Sequence, residues 1–399
     1  MESQRKENVE KPPQFEAVDY RKHMYCRLVF LDDGLPNRGL TWPLITIIVI
    51  LILMIVMCLV SAFISTEAKQ GLDNLKTFLL VSMAILPLFN NYIDRKSLAR
   101  VHNFINQSMR NARLEDPKVR FVLESAKKRA SFHLKVYTRI FFVNYYAMVL
   151  SQPLAGWMTG DVWKKWPNPW AFPPSNNELS FWLIFIFQAV GLAFSNCLGA
   201  VFMSFTSITI QMTALFDVLI LTIKEIDHRA VSRSKLDAIS YRAARLAVLR
   251  EDIITYQELV RELLSIKPNL RNMFTVMSVV MPLAMACEAY PLIMGNFTIG
   301  ELVKGVLFLA VQVACVGQIC TMLETLSDRN TAVFHAFYNT PWYESGVEFK
   351  KLIHIAMTSS KDPIYIKSLA FTDMNATADT YCSFLVNSFN ILNLIRKMN

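Results

Sequence analysis

Residues 180–216 run for 37 positions without a charged side chain. No soluble fold easily buries so long an uncharged stretch, whereas a membrane-spanning helix needs only about 20 apolar residues. Six further runs of the same character follow the same logic: 43–64, 77–92, 140–155, 272–294, 305–323 and 380–395. The first is 22 residues long, roughly 33 Å as a helix, which matches a bilayer. It lies too far from the N-terminus to be a signal peptide. The mean hydropathy of +0.31 and the 53% hydrophobic content fit this pattern. The sequence predicts an all-α integral membrane protein with seven transmembrane helices.

The formal net charge of +9 would suit nucleic acid if it were concentrated in one domain, but its distribution follows the spans instead. Segments 1–42, 93–139, 217–271 and 324–379 carry 34 Lys and Arg residues, and the segments on the opposite side carry 7. The positive-inside rule then predicts a cytoplasmic N-terminus, an extracellular C-terminus and no nucleic-acid partner.

The cytoplasmic segments are patterned as helices. Leu98, Val101, Phe104 and Ile105 recur at helical intervals in 93–139, and Leu236, Ile239, Ala243, Leu246, Leu249 and Ile253 do so in 217–271. Helices two to five are therefore expected to extend into the cytoplasm. The tail 1–42 is expected on the membrane surface. The seven Cys show no metal-ligand spacing and imply no disulfide framework. No Walker loop, HExxH, GxSxG or dinucleotide fingerprint is present, so the chain is not expected to be an enzyme, to hold a metal or to need a cofactor.

Glu288 is the one acid inside an apolar run, near the outer end of span five, and is expected to reach the outer interface or an aqueous vestibule. Asp217 at the inner end of span four is expected to be solvated or paired. The sequon Asn296-Phe-Thr298 falls outside in this topology and is a candidate glycosylation site; the sequons at Asn106 and Asn375 fall inside and should be bare.

Residues 334–344 read FHAFYNTPWYE, five aromatics around a Thr-Pro. Thr340 followed by Pro341 has the form of an N-cap and a first helical residue. The helix it would start places Trp342, Phe349, Leu352, Ile353 and Ala356 on one stripe and stops within 358–363. It is too short and polar to span, so its stripe must pack on other cytoplasmic helices or on neighbouring subunits.

These motifs, read with the span order, resemble the insect odorant receptor family. The family's Tyr-x-x-x-Trp-Tyr motif matches Tyr338, Trp342 and Tyr343, its Met and Pro turn matches Met357 and Pro363, and its Thr-Tyr-led last helix matches Thr380 and Tyr381. The likeness is strongest over 320–395. It implies a ligand-gated, non-selective cation channel, a tetramer of a ligand-tuning subunit with an odorant co-receptor. The chain lacks the co-receptor's long insertion in the second cytoplasmic loop and is therefore similar to a tuning subunit. The resemblance divides the chain into a cytoplasmic tail (1–42), helices one to six with the ligand pocket (43–323), and a split seventh helix (324–399) whose cytoplasmic part anchors the assembly through Tyr338, Trp342 and Tyr343. It also implies a multi-pass plasma-membrane location, in the dendrites of olfactory sensory neurons, among membrane lipid. A gustatory receptor channel and a G-protein-coupled receptor are the alternatives. The reversed charge bias and the missing Asn-Pro-x-x-Tyr oppose the second.

The implied odorant pocket lies in the outer halves of the spans. Span two contributes Phe78, Ser82 and Met83, span three Tyr146, Leu150 and Pro153, and span four Phe181, Phe185 and Gln188, an apolar and aromatic lining for an uncharged volatile. In the last helix, Thr380, Ser383, Asn387 and Asn390 share an arc of roughly 80°. A polar stripe on a spanning helix must face water, a partner or a pore. Phe384, beside the stripe, is expected to form the gate and Asn387 the polar ring.

Overall fold

The computed structural model describes residue 18, parts of 48–82, and residues 94–112, 116–159, 197–294, 299–370 and 374–398. Met83, Phe181, Phe185, Gln188 and Asn296 lie outside the described residues. Among the described residues, eight helices have defined bounds: α1 (Arg95–Asn111), α2 (Pro117–Thr159), α3 (Cys197–Lys224), α4 (Ile226–Asp237), α5 (Tyr241–Met294), α6 (Ile299–Tyr338), α7 (Val347–Ser360) and α8 (Ala378–Met398). The β-structure among the described residues is one isolated bridge, Lys367 to Asn375. Three of the described helices are long and apolar enough to cross a membrane, over Phe202–Lys224, Tyr241–Tyr290 and Gly305–Glu344.

At 43 and 54 residues, α2 and α5 reach roughly 65 and 80 Å. Both far exceed a hydrocarbon core of about 30 Å. Their polar ends continue as helices because local caps start them and packed stripes hold them. Asp116 accepts the Lys118 backbone N–H through its carboxylate at 2.8 Å, and Pro117 takes the first helical position of α2. Ser240 does the same for α5 through the Ala243 N–H. On α1, Leu98, Val101 and Ile105 are buried and Phe104 half-buried, as their spacing predicts.

The stripe expected across 217–271 is interrupted. Ala238 adopts φ 52°, ψ 33° and turns the chain between α4 and α5. Leu236 is 86% exposed, and Ile239 and Ala243 are also exposed; the buried stripe resumes at Ala244, Val248, Leu249 and Ile253. A helical period continues through a turn on paper, but the turn resets the face that meets the core.

One contiguous apolar core runs through α1, α2, α3 and α5 to α8, including Met109, Leu123, Phe216, Leu263, Phe337 and Ile353. Helix α3 packs on α2, α5 and α6, and α8 packs on α5 and α6. Two glycines set the close approaches. A Cβ at Gly305 would meet Leu292 Cδ2 at 3.1 Å and Glu288 Oε1 at 3.2 Å, and one at Gly317 would meet the Tyr381 ring at 3.1 Å. Tyr381, a motif residue, is thus the side chain that seats α8 over α6. Glu288 is buried against α6 rather than open to an outer vestibule, because the α5–α6 contact at Gly305 closes over it.

Candidate functional site

Helix α8 begins where a carboxylate of another helix waits for it. Glu324, just past the apolar run 305–323 of α6, accepts the Ala378 backbone N–H at 3.0 Å. An anionic side chain there satisfies an orphan donor and opposes the positive helix end. Thr380 completes the cap: its hydroxyl donates to the Asn375 carbonyl, and its N–H reaches the Thr377 hydroxyl at 3.4 Å. Thr380 is therefore buried in the cap rather than exposed with the polar stripe.

The rest of that stripe is exposed. Ser383, Asn387 and Asn390 face away from the subunit, and Val386, 58% exposed, sits among them. Ser383 satisfies its hydroxyl on the Asp379 carbonyl at 3.0 Å, leaving the two amides as the side chains free of helix back-bonding. Phe384 departs from its expected place. It is 1% exposed, with its ring centroid 6.0 Å from that of Phe274 on α5. The reason is angular: Phe384, Ser388 and Leu392 form an i, i+4, i+8 row that α5 covers, with the Ser388 hydroxyl bonded back to the Phe384 carbonyl at 2.7 Å. Val386 and Asn387 lie on the uncovered side.

The loop before α8 is clipped to α5. The Leu369 N–H donates to Thr275 Oγ1 at 2.8 Å, and the Ser368 and Ser278 hydroxyls are 3.0 Å apart. The Lys367–Asn375 bridge, with its flanking Ile366 and Ser368 backbone bonds, folds the loop back on itself. Helix α8 is thus held at its entry by both α5 and α6.

The Thr340-Pro341 pair does not start a helix. The Thr340 hydroxyl and N–H both donate to the Phe337 carbonyl, at 2.7 and 3.2 Å, so this residue closes α6. A 3₁₀ turn over Trp342–Glu344 follows, and α7 starts at Val347 after Gly346. Phe349, Ile353 and Ala356 are buried along α7 and Leu352 half-buried, as their spacing predicts, while Trp342 lies on the turn before the helix. Of the three expected anchor residues, Trp342 is half-buried against the core, whereas Tyr338 and Tyr343 are 57% and 62% exposed. Within one subunit their ring contacts are local, Tyr338 stacked on Phe334 at 6.3 Å and Tyr343 edge-on to Trp342 at 6.2 Å.

Sequence reasoning missed the residue that fixes this turn. Arg245 of α5 donates to the Ser345 hydroxyl and to the Pro341 carbonyl at 3.4 Å. It also pairs with Asp227 of α4 at 2.6 Å and lies 4.6 Å from the Phe349 ring centroid. One guanidinium joins α4, α5, the turn and α7, a use that its planar fork of donors permits. Arg229 makes a second clamp, with bonds of 2.7 and 2.9 Å to both Asp252 carboxylate oxygens. An i, i+4 count does not reveal either cross-helix partner.

A cavity of about 160 Å³ opens between α2, α3 and α6, lined among others by Arg129, His133, Thr213, Asp217 and Thr325. Asp217 is paired with Arg329 at 3.1 Å. Burial and the Arg129 charge hold His133 below the ordinary histidine range, so its ring is neutral at pH 7. Gln318 donates to its Nδ1 at 2.6 Å and accepts the Tyr137 hydroxyl. This cavity is not the expected outer pocket. Of the residues expected there, Phe78 and Ser82 are helical and half-buried, and Tyr146, Leu150 and Pro153 fall on α2. Asn106 lies on α1, and Asn375, half-buried, takes part in the bridge before α8.

The family described as 7tm Odorant receptor matches residues 67–381. The fold is similar to that of the insect olfactory receptor OR5 from Machilis hrabei, with TM-score 0.76 at 13% identity. The match covers 93% of this chain and 96% of that one. The same receptor solved in complex with eugenol gives TM-score 0.75 at 13% identity over the same shares. No curated protein matches the chain significantly.

Proposed function

From the premise that the chain belongs to the 7tm odorant receptor family, we propose that it is the odorant-tuning subunit of a heteromeric, ligand-gated, non-selective cation channel formed with a co-receptor. The carrying observation is the family match over 67–381, which spans the apolar runs from the second to the start of the last. The chain is a membrane-spanning odorant receptor and not an enzyme. The ligand is an uncharged volatile, a reading that the eugenol complex of a structurally similar receptor supports. Its pocket is formed by Phe78, Ser82, Met83, Tyr146, Leu150, Pro153, Phe181, Phe185 and Gln188. The receptor works in the plasma membrane of olfactory neuron dendrites, with Asn296 glycosylated outside.

The four-subunit pore is lined by the exposed face of α8. Ser383, Asn387 and Asn390 offer neutral oxygens to a partly hydrated cation, and the lack of charge between residues 380 and 395 makes selectivity among monovalent cations weak. Because Phe384 is turned into the subunit, the apolar constriction falls to Val386, which is exposed like Phe389 and Leu394 and directly precedes Asn387. Hydrophobic constrictions gate by dewetting. The exposed Tyr338 and Tyr343 and the apolar Val347 and Ile355 form the cytoplasmic anchor surface between subunits, since burial of such side chains is what assembles an interface core.

Co-expression with a co-receptor, with currents recorded against an odorant panel, tests this reading. Odorant-evoked current is the expected result, and none with normal surface delivery would sink the proposal. Tyr146→Ala and Phe185→Ala are expected to shift odorant potency while leaving assembly intact; an unchanged odorant profile in both would place the pocket elsewhere. Asn387→Lys is expected to reduce cation current or alter its selectivity, because it puts a positive charge on the proposed pore wall. Unchanged conductance and selectivity at normal surface levels would remove α8 from the pore.

A further inference from the structure

Helix α2 carries one face that stands exposed among the described residues. Phe121, Lys128, Phe132, Lys135 and Arg139 are all exposed, with Phe121 at 71% and Phe132 at 62%. At 100° per residue these five fall within an arc of roughly 60°. The opposite face of the same helix, with Leu123, Ala126, Ala130, Leu134 and Tyr137, is buried. The exposed row runs directly into the apolar stretch 140–155, so it descends toward the membrane without a break in the helix.

The cations of this face outnumber the carboxylates near it, although Lys128 shares the field of Glu124 one turn earlier. Among the described residues Lys128, Lys135 and Arg139 make no ion pair. The nearest carboxylate along the helix, Glu124, is held by Arg120 at 2.8 Å, and Asp217 is held by Arg329. Arg129 adds a further positive charge on one flank. An exposed aromatic between unpaired cations is costly for a face meant only for water.

We propose that this face of α2 seats the headgroup of a polyphosphoinositide from the cytoplasmic leaflet. Clusters of Lys and Arg immediately cytoplasmic of a spanning helix are suited to such lipids. The spacing selects the polyphosphorylated class. At 1.5 Å per residue, Arg139 and Lys135 stand roughly 2 and 8 Å above the start of the apolar run, and Lys128 roughly 18 Å. A phosphodiester at the membrane surface meets the first two. Lys128 is met only by a headgroup that carries phosphates farther out, on a sugar ring, with long lysine side chains reaching down to it. The Phe132 ring lies between Lys128 and Lys135 on the same row and offers an apolar wall to that sugar. The site rests on the cytoplasmic placement of 93–139 and is independent of the odorant pocket and of the pore.

Native mass spectrometry of the full chain in phosphatidylcholine nanodiscs, doped with phosphatidylinositol bisphosphate or with charge-matched phosphatidylserine, reads both bound lipid and oligomeric mass. Wild type is expected to retain the phosphoinositide in preference to phosphatidylserine. Each juxtamembrane cation is worth about fivefold in affinity for an anionic surface, so the triple variant Lys128→Gln, Lys135→Gln, Arg139→Gln should lose on the order of one hundredfold. The charge-preserving triple variant Lys128→Arg, Lys135→Arg, Arg139→Lys should bind as wild type does. Equal retention of both lipids, retention unchanged in the Gln variant, or loss in the charge-preserving variant would each overturn the proposal. So would a change of oligomeric mass in the Gln variant with lipid retention intact, which would make the face a protein interface.

Discussion

Asp252→Ala is expected to destabilise the receptor by about 3–5 kcal/mol, the usual result of stripping one partner from a buried ion pair. The Asp252 and Arg229 side chains are 4% and 10% exposed, so the abandoned guanidinium cannot simply return to water. Its only other carboxylate within reach among the described residues is Glu251, at 3.9 Å and half exposed, which already binds Arg233. Asp252→Asn keeps an oxygen acceptor and should lose less. The loss should appear as a lower unfolding temperature of the detergent-purified protein and as reduced surface delivery, with odorant rank order unchanged in the channels that do arrive. An unfolding temperature within error of wild type would mean that Glu251 or water replaces the lost carboxylate at no cost.

The second large effect is at Phe384. Its ring is enclosed against Phe274, and truncation of an enclosed Phe typically costs about 3–5 kcal/mol when the cavity does not collapse. Phe384→Ala is expected to loosen the seat of α8 on α5, lowering thermal stability and raising current in the absence of odorant. Val386→Ala gives the contrast. Val386 touches little of its own subunit, so its truncation should leave stability within about 0.5 kcal/mol of wild type. On the pore reading it should still raise basal current by widening the constriction. If Phe384→Ala leaves stability intact and Val386→Ala lowers it, the two faces of α8 have been assigned the wrong way round.

The two residues show where sequence reasoning reaches its limit. Periodicity places Phe384 about 60° from Asn387, close enough to count as a neighbour of the polar stripe. Whether that angle falls on the near or the far side of a packing boundary depends on where α5 lies, and no property of the α8 sequence encodes it. Thr340-Pro341 shows a different limit. A hydroxyl before a proline suits a helix start, but the same hydroxyl can also bond backward to a carbonyl three residues earlier. Here the end of α6 offers that carbonyl first, and Arg245 from 96 residues away holds the turn that results. Glu288 fails for a related reason: its depth along the chain is legible, but the glycine of another helix that lets α6 close over it is not visible in its own span.

What the sequence determines alone is the medium and the helical class. Seven apolar runs, six of them uncharged, and a 34 to 7 division of basic residues are sums over many positions, and such sums survive local error. The stripe on α7 and the stripe on α1 are equally legible, because a regular helix converts spacing into a face without reference to anything else. The motifs around Tyr338 and Tyr381 point to the family through likeness rather than through physics. The tertiary structure alone decides which face is covered and by what. It turns Phe384 inward and leaves Val386 out, spends Thr380 on a cap, brings Glu324 to the start of α8 and joins α4, the 3₁₀ turn and α7 to α5 through Arg245. The physical reason is that burial and cross-helix hydrogen bonding are properties of pairs distant in the chain. One-dimensional periodicity fixes the angle of each residue on its own helix, and only packing fixes the angle of one helix against the next.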